Sequence, residues 1–158
     1  MRISKVWQKQ SVVFPGGSWR LRNLLLDLGS VDVELLIKST GDLVTVWIPS
    51  GKGNLRTESL QSERAIESYR QENSLYFQVQ DTLPKMRSWI YALGNHLGIP
   101  KCFGYCSLIA VADEFTTPLH LDTNENFTIQ ITGTKRWKIW HDITIKNPMH
   151  NCIASRPV

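Results

Sequence analysis

Apolar and polar positions alternate with two different periods along the chain, and the change of period marks its layout. Residues 31–38 and 43–48 are apolar runs rich in β-branched side chains, joined by Ser39-Thr40-Gly41-Asp42. That pattern predicts a β-hairpin. A loop through Pro49, Gly51 and Gly53 follows, and Thr57 or Ser59 then opens a predicted helix to about Arg70. Leu60, Ala65, Ile66 and Tyr69 are spaced for one helical face. Residues 74–79 alternate as a strand, with Leu75, Phe77 and Val79 on one side. Thr82 is the expected cap of the strongest helix, and Pro84 sits in its first turn. Met86, Trp89, Ile90, Leu93 and Leu97 form its apolar stripe, Gly98 ends it and Pro100 prevents continuation. Nearer the start, Phe14-Pro15-Gly16-Gly17 reads as a turn, and Ser18 caps a short predicted helix running through Leu28 to a stop at Gly29. Residues 105–112 are β-rich, and residues 116–140 are nearly all strand and turn. Helices therefore precede a C-terminal antiparallel sheet, an α+β layout.

Composition changes this picture little. The 158 residues suit one domain, with 1–100 as a helical and hairpin part and 101–158 as a β part. Hydrophobic residues are 42% and charged residues 20%, a globular balance. No apolar run is long enough to cross a membrane, and MRISKVWQKQ lacks the apolar core of a secretory leader. Cys102, Cys106 and Cys152 are too scattered for a disulfide framework or a zinc knuckle, so a reducing, cytoplasmic setting is expected. The net charge is a mild +4. Arg20, Arg22, Lys135, Arg136 and Lys138 lie among Trp19, Trp137 and Trp140, and read as solvated cations beside aromatics rather than as a nucleic-acid patch.

Chemistry concentrates in residues 116–140, TTPLHLDTNENFTIQITGTKRWKIW. His120 and Asp122 are two apart, so on a strand an imidazole and a carboxylate share a face while Leu119 and Leu121 take the other. An imidazole and a carboxylate are two of the three ligands of a facial iron triad. His-x-Asp alone is a weak signal, equally at home on a polar surface strand. Phe127, Ile129 and Ile131 alternate with Thr128, Gln130 and Thr132, giving one apolar and one uncharged polar face. Gly133 lets the chain turn tightly, and the next run places Lys135, Trp137 and Ile139 together. A lysine on an apolar face either seeks an anion or snorkels to water.

These residues together form a more specific pattern. Thr117-Pro118-Leu119-His120-Leu121-Asp122, Asn126-Phe127, Gln130, Gly133 and Lys135-Arg136-Trp137 resemble the motif of the JmjC and cupin-like Fe(II)/2-oxoglutarate oxygenases, down to the 13-residue step from Asp122 to Lys135. The resemblance implies a cupin-type double-stranded β-helix, or jelly roll, with the N-terminal helices and hairpin packed on it. It implies that His120 and Asp122 bind Fe(II) and that Lys135 pairs with the distal carboxylate of 2-oxoglutarate. Thr117, Asn126, Thr128 and Tyr105 would hydrogen-bond this co-substrate. The activity implied is hydroxylation of a protein, peptide or small-molecule substrate.

The family also uses a second histidine several strands further on. Here the remaining histidines are His96, His141 and His150, none at the family's position, with His150 in a turn-rich tail. The expectation is an incomplete β-helix lacking its C-terminal strands, whether as a fragment, a shortened gene product or a chain completed by a partner. Unpaired sheet edges would favour a homo-oligomer. The alternative reading is a degenerate, non-catalytic cupin-like binding module without turnover.

Overall fold

The computed structural model describes residues 11–13, 22, 31–51, 55–83, 85–100, 103–140 and 149–153, with the backbone alone for Cys152 and Ile153. The predicted turn at Phe14–Gly17 and the helix from Ser18 to Leu28 lie outside these residues, apart from a helical Arg22. The chain divides into two compact units, Asp27–Pro118 and Met1–Leu26 with Leu119–Val158.

The first unit opens with helix α1, Val33–Ser39, where the sequence pattern predicts a strand. The residues 31–38 fit either period, and local chemistry decides between them. The Asp32 carboxylate accepts from the Leu35 N–H at 3.0 Å, Glu34 sits in the first turn and Lys38 in the last. Val33, Leu36 and Ile37 then fall on one helical face against the core, while Leu35 turns outward.

The hairpin forms one element later than expected. Strand β1, Val44–Pro49, pairs antiparallel with β2, Leu55–Leu60, in a register from Val44↔Leu60 to Pro49↔Leu55. Gly51, at φ +82°, supplies the left-handed backbone in the connection. Residues expected to begin a helix at Thr57 or Ser59 are thus strand, and helix α2 spans Ser62–Arg70. Its end matches the prediction. Its start is set by the serine: Ser62 Oγ donates to the Ile37 carbonyl at 2.9 Å, tying α2 to the end of α1. Arg70 reaches back with a bidentate pair of hydrogen bonds to Glu34, at 2.9 and 2.7 Å. The guanidinium holds the Glu34 carboxyl below its ordinary pKa.

Strand β3, Ser74–Gln78, lies where the alternation predicts it. It sits between β1 and β4, Ser107–Ala110, so the sheet runs β2-β1-β3-β4 with every pairing antiparallel. Val44, Val46, Leu75, Phe77 and Leu108 point to one face and are buried there with Ile37, Ala65 and Ile66 of the two helices. On the opposite face Trp47 stacks on Phe115 and packs against Tyr76, whose hydroxyl accepts from Ser107 Oγ at 3.0 Å. Ser74 is fully buried, and its Oγ accepts from the Ala112 N–H at 3.1 Å.

Helix α3, Met86–Leu97, ends as predicted. Gly98 adopts φ +72° and the Ile99 N–H reaches the Gly94 carbonyl at 2.8 Å, a Schellman closure. Thr82 is not its cap. The N–H groups of Thr82 and Leu83 both go to the Val79 carbonyl, making a separate turn, and the N-cap is Lys85. Of the apolar stripe only Met86 is buried. Gly104 packs so closely on α3 that a methyl group there would collide with Ile90 Cγ2.

Among its described residues the second unit holds one short ladder, β5, His120–Leu121, with β6, Cys152–Ile153. The strands expected across residues 123–140 form no ladder among the described residues. Gly133 does turn with φ +68°, but Phe127, Ile129 and Ile131 are each at least 40% exposed. Alternating apolar residues become strands only where a partner backbone and a covering layer exist, and neither is present in the described part of this unit. The architecture is α+β, as the sequence predicts, and the described residues show the jelly roll only in part.

Candidate metal centre

β5 positions the two central side chains. His120 opens the strand and Asp122 directly follows it, so they project to the same side with Leu121 between them, half-buried on the other. His120 Nε2 and Asp122 Oδ2 are 3.9 Å apart, with both side chains roughly two-fifths exposed. Two donors held at about 2.1 Å and at right angles on one metal ion stand about 3 Å apart. A small rotation of either side chain closes that gap. The donor types and their spacing therefore fit two of the three positions of a facial site.

The oxygen nearest the imidazole is also the one the protein holds. Asn126 Nδ2 donates to Asp122 Oδ2 at 2.9 Å. The hydrogen bond fixes the plane of the carboxylate and uses one lone pair of Oδ2, which keeps a second for an incoming ion. The resemblance implies that Asn126 hydrogen-bonds the co-substrate; in this structure its amide contacts the Asp122 carboxylate. Neighbouring Thr123 donates both its N–H and its Oγ1–H to Asn151 Oδ1, each at 2.8 Å. Nothing in the sequence signals that contact, because its partners are 28 residues apart and lie outside the motif.

Lys135 and Trp137 fall on one side as the alternation predicts. Lys135 Nζ lies 4.5 Å from the Trp137 ring centroid, a cation–π contact. Burial of the lysine pushes its pKa below the ordinary range. Among the described residues no carboxylate pairs with it, so it is a partly desolvated cation suited to an anionic ligand. Thr128 is exposed in the same unit. Thr117, half-buried in the irregular segment after Phe115, and Tyr105, 48% exposed before β4, belong to the Asp27–Pro118 unit.

His150 does not join the pair. The β5–β6 register matches His120 with Ile153 and Leu121 with Cys152. The pairing ends there, and His150 lies in a bend beyond it. Among the described residues no three His, Cys, Asp or Glu side chains converge as a metal site. His96 is exposed in the last turn of α3, and His141 lies outside the described residues.

The chain is thus α+β, with a His-x-Asp pair on a short strand followed by a lysine and an aromatic at fixed distances. Residues 94–156 match the family model of the JmjC domain. This is a cupin-type family whose members are usually Fe(II)/2-oxoglutarate oxygenases. The match covers α3 from Gly94 onward, β4 and the whole His-x-Asp region. No curated protein and no solved structure matches the chain. No helix among the described residues is long and apolar enough to cross a membrane.

Proposed function

We propose that this chain acts as an Fe(II)- and 2-oxoglutarate-dependent oxygenase, hydroxylating a protein, peptide or small-molecule substrate. The observation that carries the reading is the convergence of His120 Nε2 and Asp122 Oδ2 on one side of β5, 3.9 Å apart, inside the JmjC segment. His120 and Asp122 would hold Fe(II). Lys135, steadied on Trp137, would take the distal carboxylate of 2-oxoglutarate, with Thr128 as a further hydrogen-bonding group. The chemistry that metal and co-substrate supply when bound is oxidation of a C–H bond, coupled to decarboxylation of 2-oxoglutarate to succinate and carbon dioxide. The protein's own contribution is to bind and orient: Asn126 aligns the Asp122 carboxylate, and Lys135 orients the co-substrate by its charge.

An anaerobic titration with Fe(II) and 2-oxoglutarate tests this, read by the visible metal-to-ligand charge-transfer absorbance. The expected result is a band that needs both components and is lost in His120→Ala and in Asp122→Ala. A folded protein that gives no band refutes it. A second reading, a non-catalytic cupin-like module, is favoured by the convergence of only two donors among the described residues. It predicts that 2-oxoglutarate binds through Lys135 with no charge-transfer band.

A further inference from the structure

The ladder that carries His120 is very short. β5 and β6 pair over only two residues each, His120↔Ile153 and Leu121↔Cys152. A ladder of that length is marginal by itself in water. Immediately beyond it Asn151 Oδ1 takes two hydrogen bonds at 2.8 Å, from the Thr123 N–H and the Thr123 hydroxyl. The Thr123 N–H belongs to the peptide unit whose carbonyl is that of Asp122. Holding this N–H therefore fixes the peptide plane on the C-terminal side of Asp122. The ladder fixes the plane on the other side through Leu121. The Asp122 backbone is thus pinned at both ends, while Asn126 holds its carboxylate.

We propose that Asn151 is a positioning residue for the His120–Asp122 pair, setting the direction in which the Asp122 carboxylate leaves the backbone by clamping Thr123. This rests on the reading of His120 and Asp122 as metal ligands. Asn151 touches neither donor and acts through the Asp122–Thr123 peptide. Ligand rotamers held by neighbouring hydrogen bonds are what makes a metal site tight, and losing such a partner typically costs 10–100-fold in affinity.

The test is a Co(II) titration of the full chain, read by visible d–d absorption, whose intensity and shape report coordination. Asn151→Leu removes the acceptor, and affinity is expected to fall about tenfold with an altered absorption envelope. Asn151→Asp keeps an acceptor in the same place and should restore the wild-type envelope, which a new cobalt ligand would change. Thr123→Val removes the hydroxyl donor and keeps the N–H, and its loss should be intermediate; it carries the test if Asn151→Leu does not fold. A role confined to tying down the tail predicts a changed melting temperature, wild-type cobalt affinity and an unchanged envelope in Asn151→Leu and Thr123→Val, and that result overturns the inference. Wild-type affinity that survives both His120→Ala and Asp122→Ala overturns the metal-site reading itself, whatever Asn151 does.

Discussion

Asn126→Ala separates two roles for one amide. In the structure Asn126 Nδ2 lies 2.9 Å from Asp122 Oδ2, and the Asp122 side chain is 37% exposed. A hydrogen bond to a charged group is worth about 1.5–3 kcal/mol when water is excluded. Here water competes for the carboxylate, so the apo protein should lose well under ~1 kcal/mol on substitution. The larger effect falls on metal binding. Without the amide the carboxylate rotates freely, and each order of magnitude in affinity corresponds to about 1.4 kcal/mol. The low end of the usual range for an outer-sphere partner, about tenfold, is expected at so exposed a site. The assay is a pair of Co(II) titrations, one with and one without saturating 2-oxoglutarate. The carboxylate clamp predicts the same tenfold loss in both. Unchanged metal affinity with weakened 2-oxoglutarate binding would refute this reasoning and return Asn126 to the co-substrate role that the family resemblance implies.

Other perturbations test other parts of the molecule. Lys135→Ala should weaken 2-oxoglutarate binding and leave the affinity for metal alone unchanged, measured by calorimetry. Burial lowers the Lys135 pKa in the free protein, and an anion beside the ammonium raises it again. Binding of 2-oxoglutarate should therefore take up protons at alkaline pH and not at neutral pH, read as a buffer-dependent binding enthalpy. Phe77→Ala removes a ring that is 1% exposed at the centre of the core, and should cost about 3–5 kcal/mol in urea unfolding. Burial raises the pKa of the Cys106 thiol, so the folded state holds its proton more tightly than the unfolded one. That contribution is fully present below the unfolded thiol pKa of about 8.5 and is lost as the pH rises above it. Thermal melts of Cys106→Ala should lack this alkaline loss.

The parts of the fold that the sequence reveals are those fixed by local chemistry. β3 is legible because Leu75, Phe77 and Val79 alternate and are all buried, and α3 ends at Gly98 because only a residue at ease with positive φ closes a helix that way. The 31–38 segment misleads because its apolar residues satisfy both periods. The choice rests on one hydrogen bond from Leu35 to Asp32 and on contacts with α2, which lies more than twenty residues on. The strands expected between Phe127 and Trp140 fail for a related reason: alternation marks a readiness to pair, and pairing needs a second backbone. In the candidate site, spacing puts His120 beside Asp122 and Lys135 beside Trp137, while the roles expected of them come from the family resemblance. The Thr123–Asn151 clamp is not, because a 28-residue separation carries no periodic signal.

The order in which sequence neighbours meet also sets an order in time. In the Asp27–Pro118 unit the β1–β2 hairpin joins adjacent segments, and β3 and β4 add beside it after one helix each. Such pairings close small loops and form early in folding. The ladder beside His120 instead joins Leu121 to Cys152, across about thirty residues, in exchange for two paired positions. During synthesis the four-stranded sheet can assemble while the strand carrying His120 still waits for its partner. The chain is thus built so that the scaffold precedes the His120–Asp122 pair, and hydrogen exchange should find the Thr123 amide opening at far lower cost than that of Phe77.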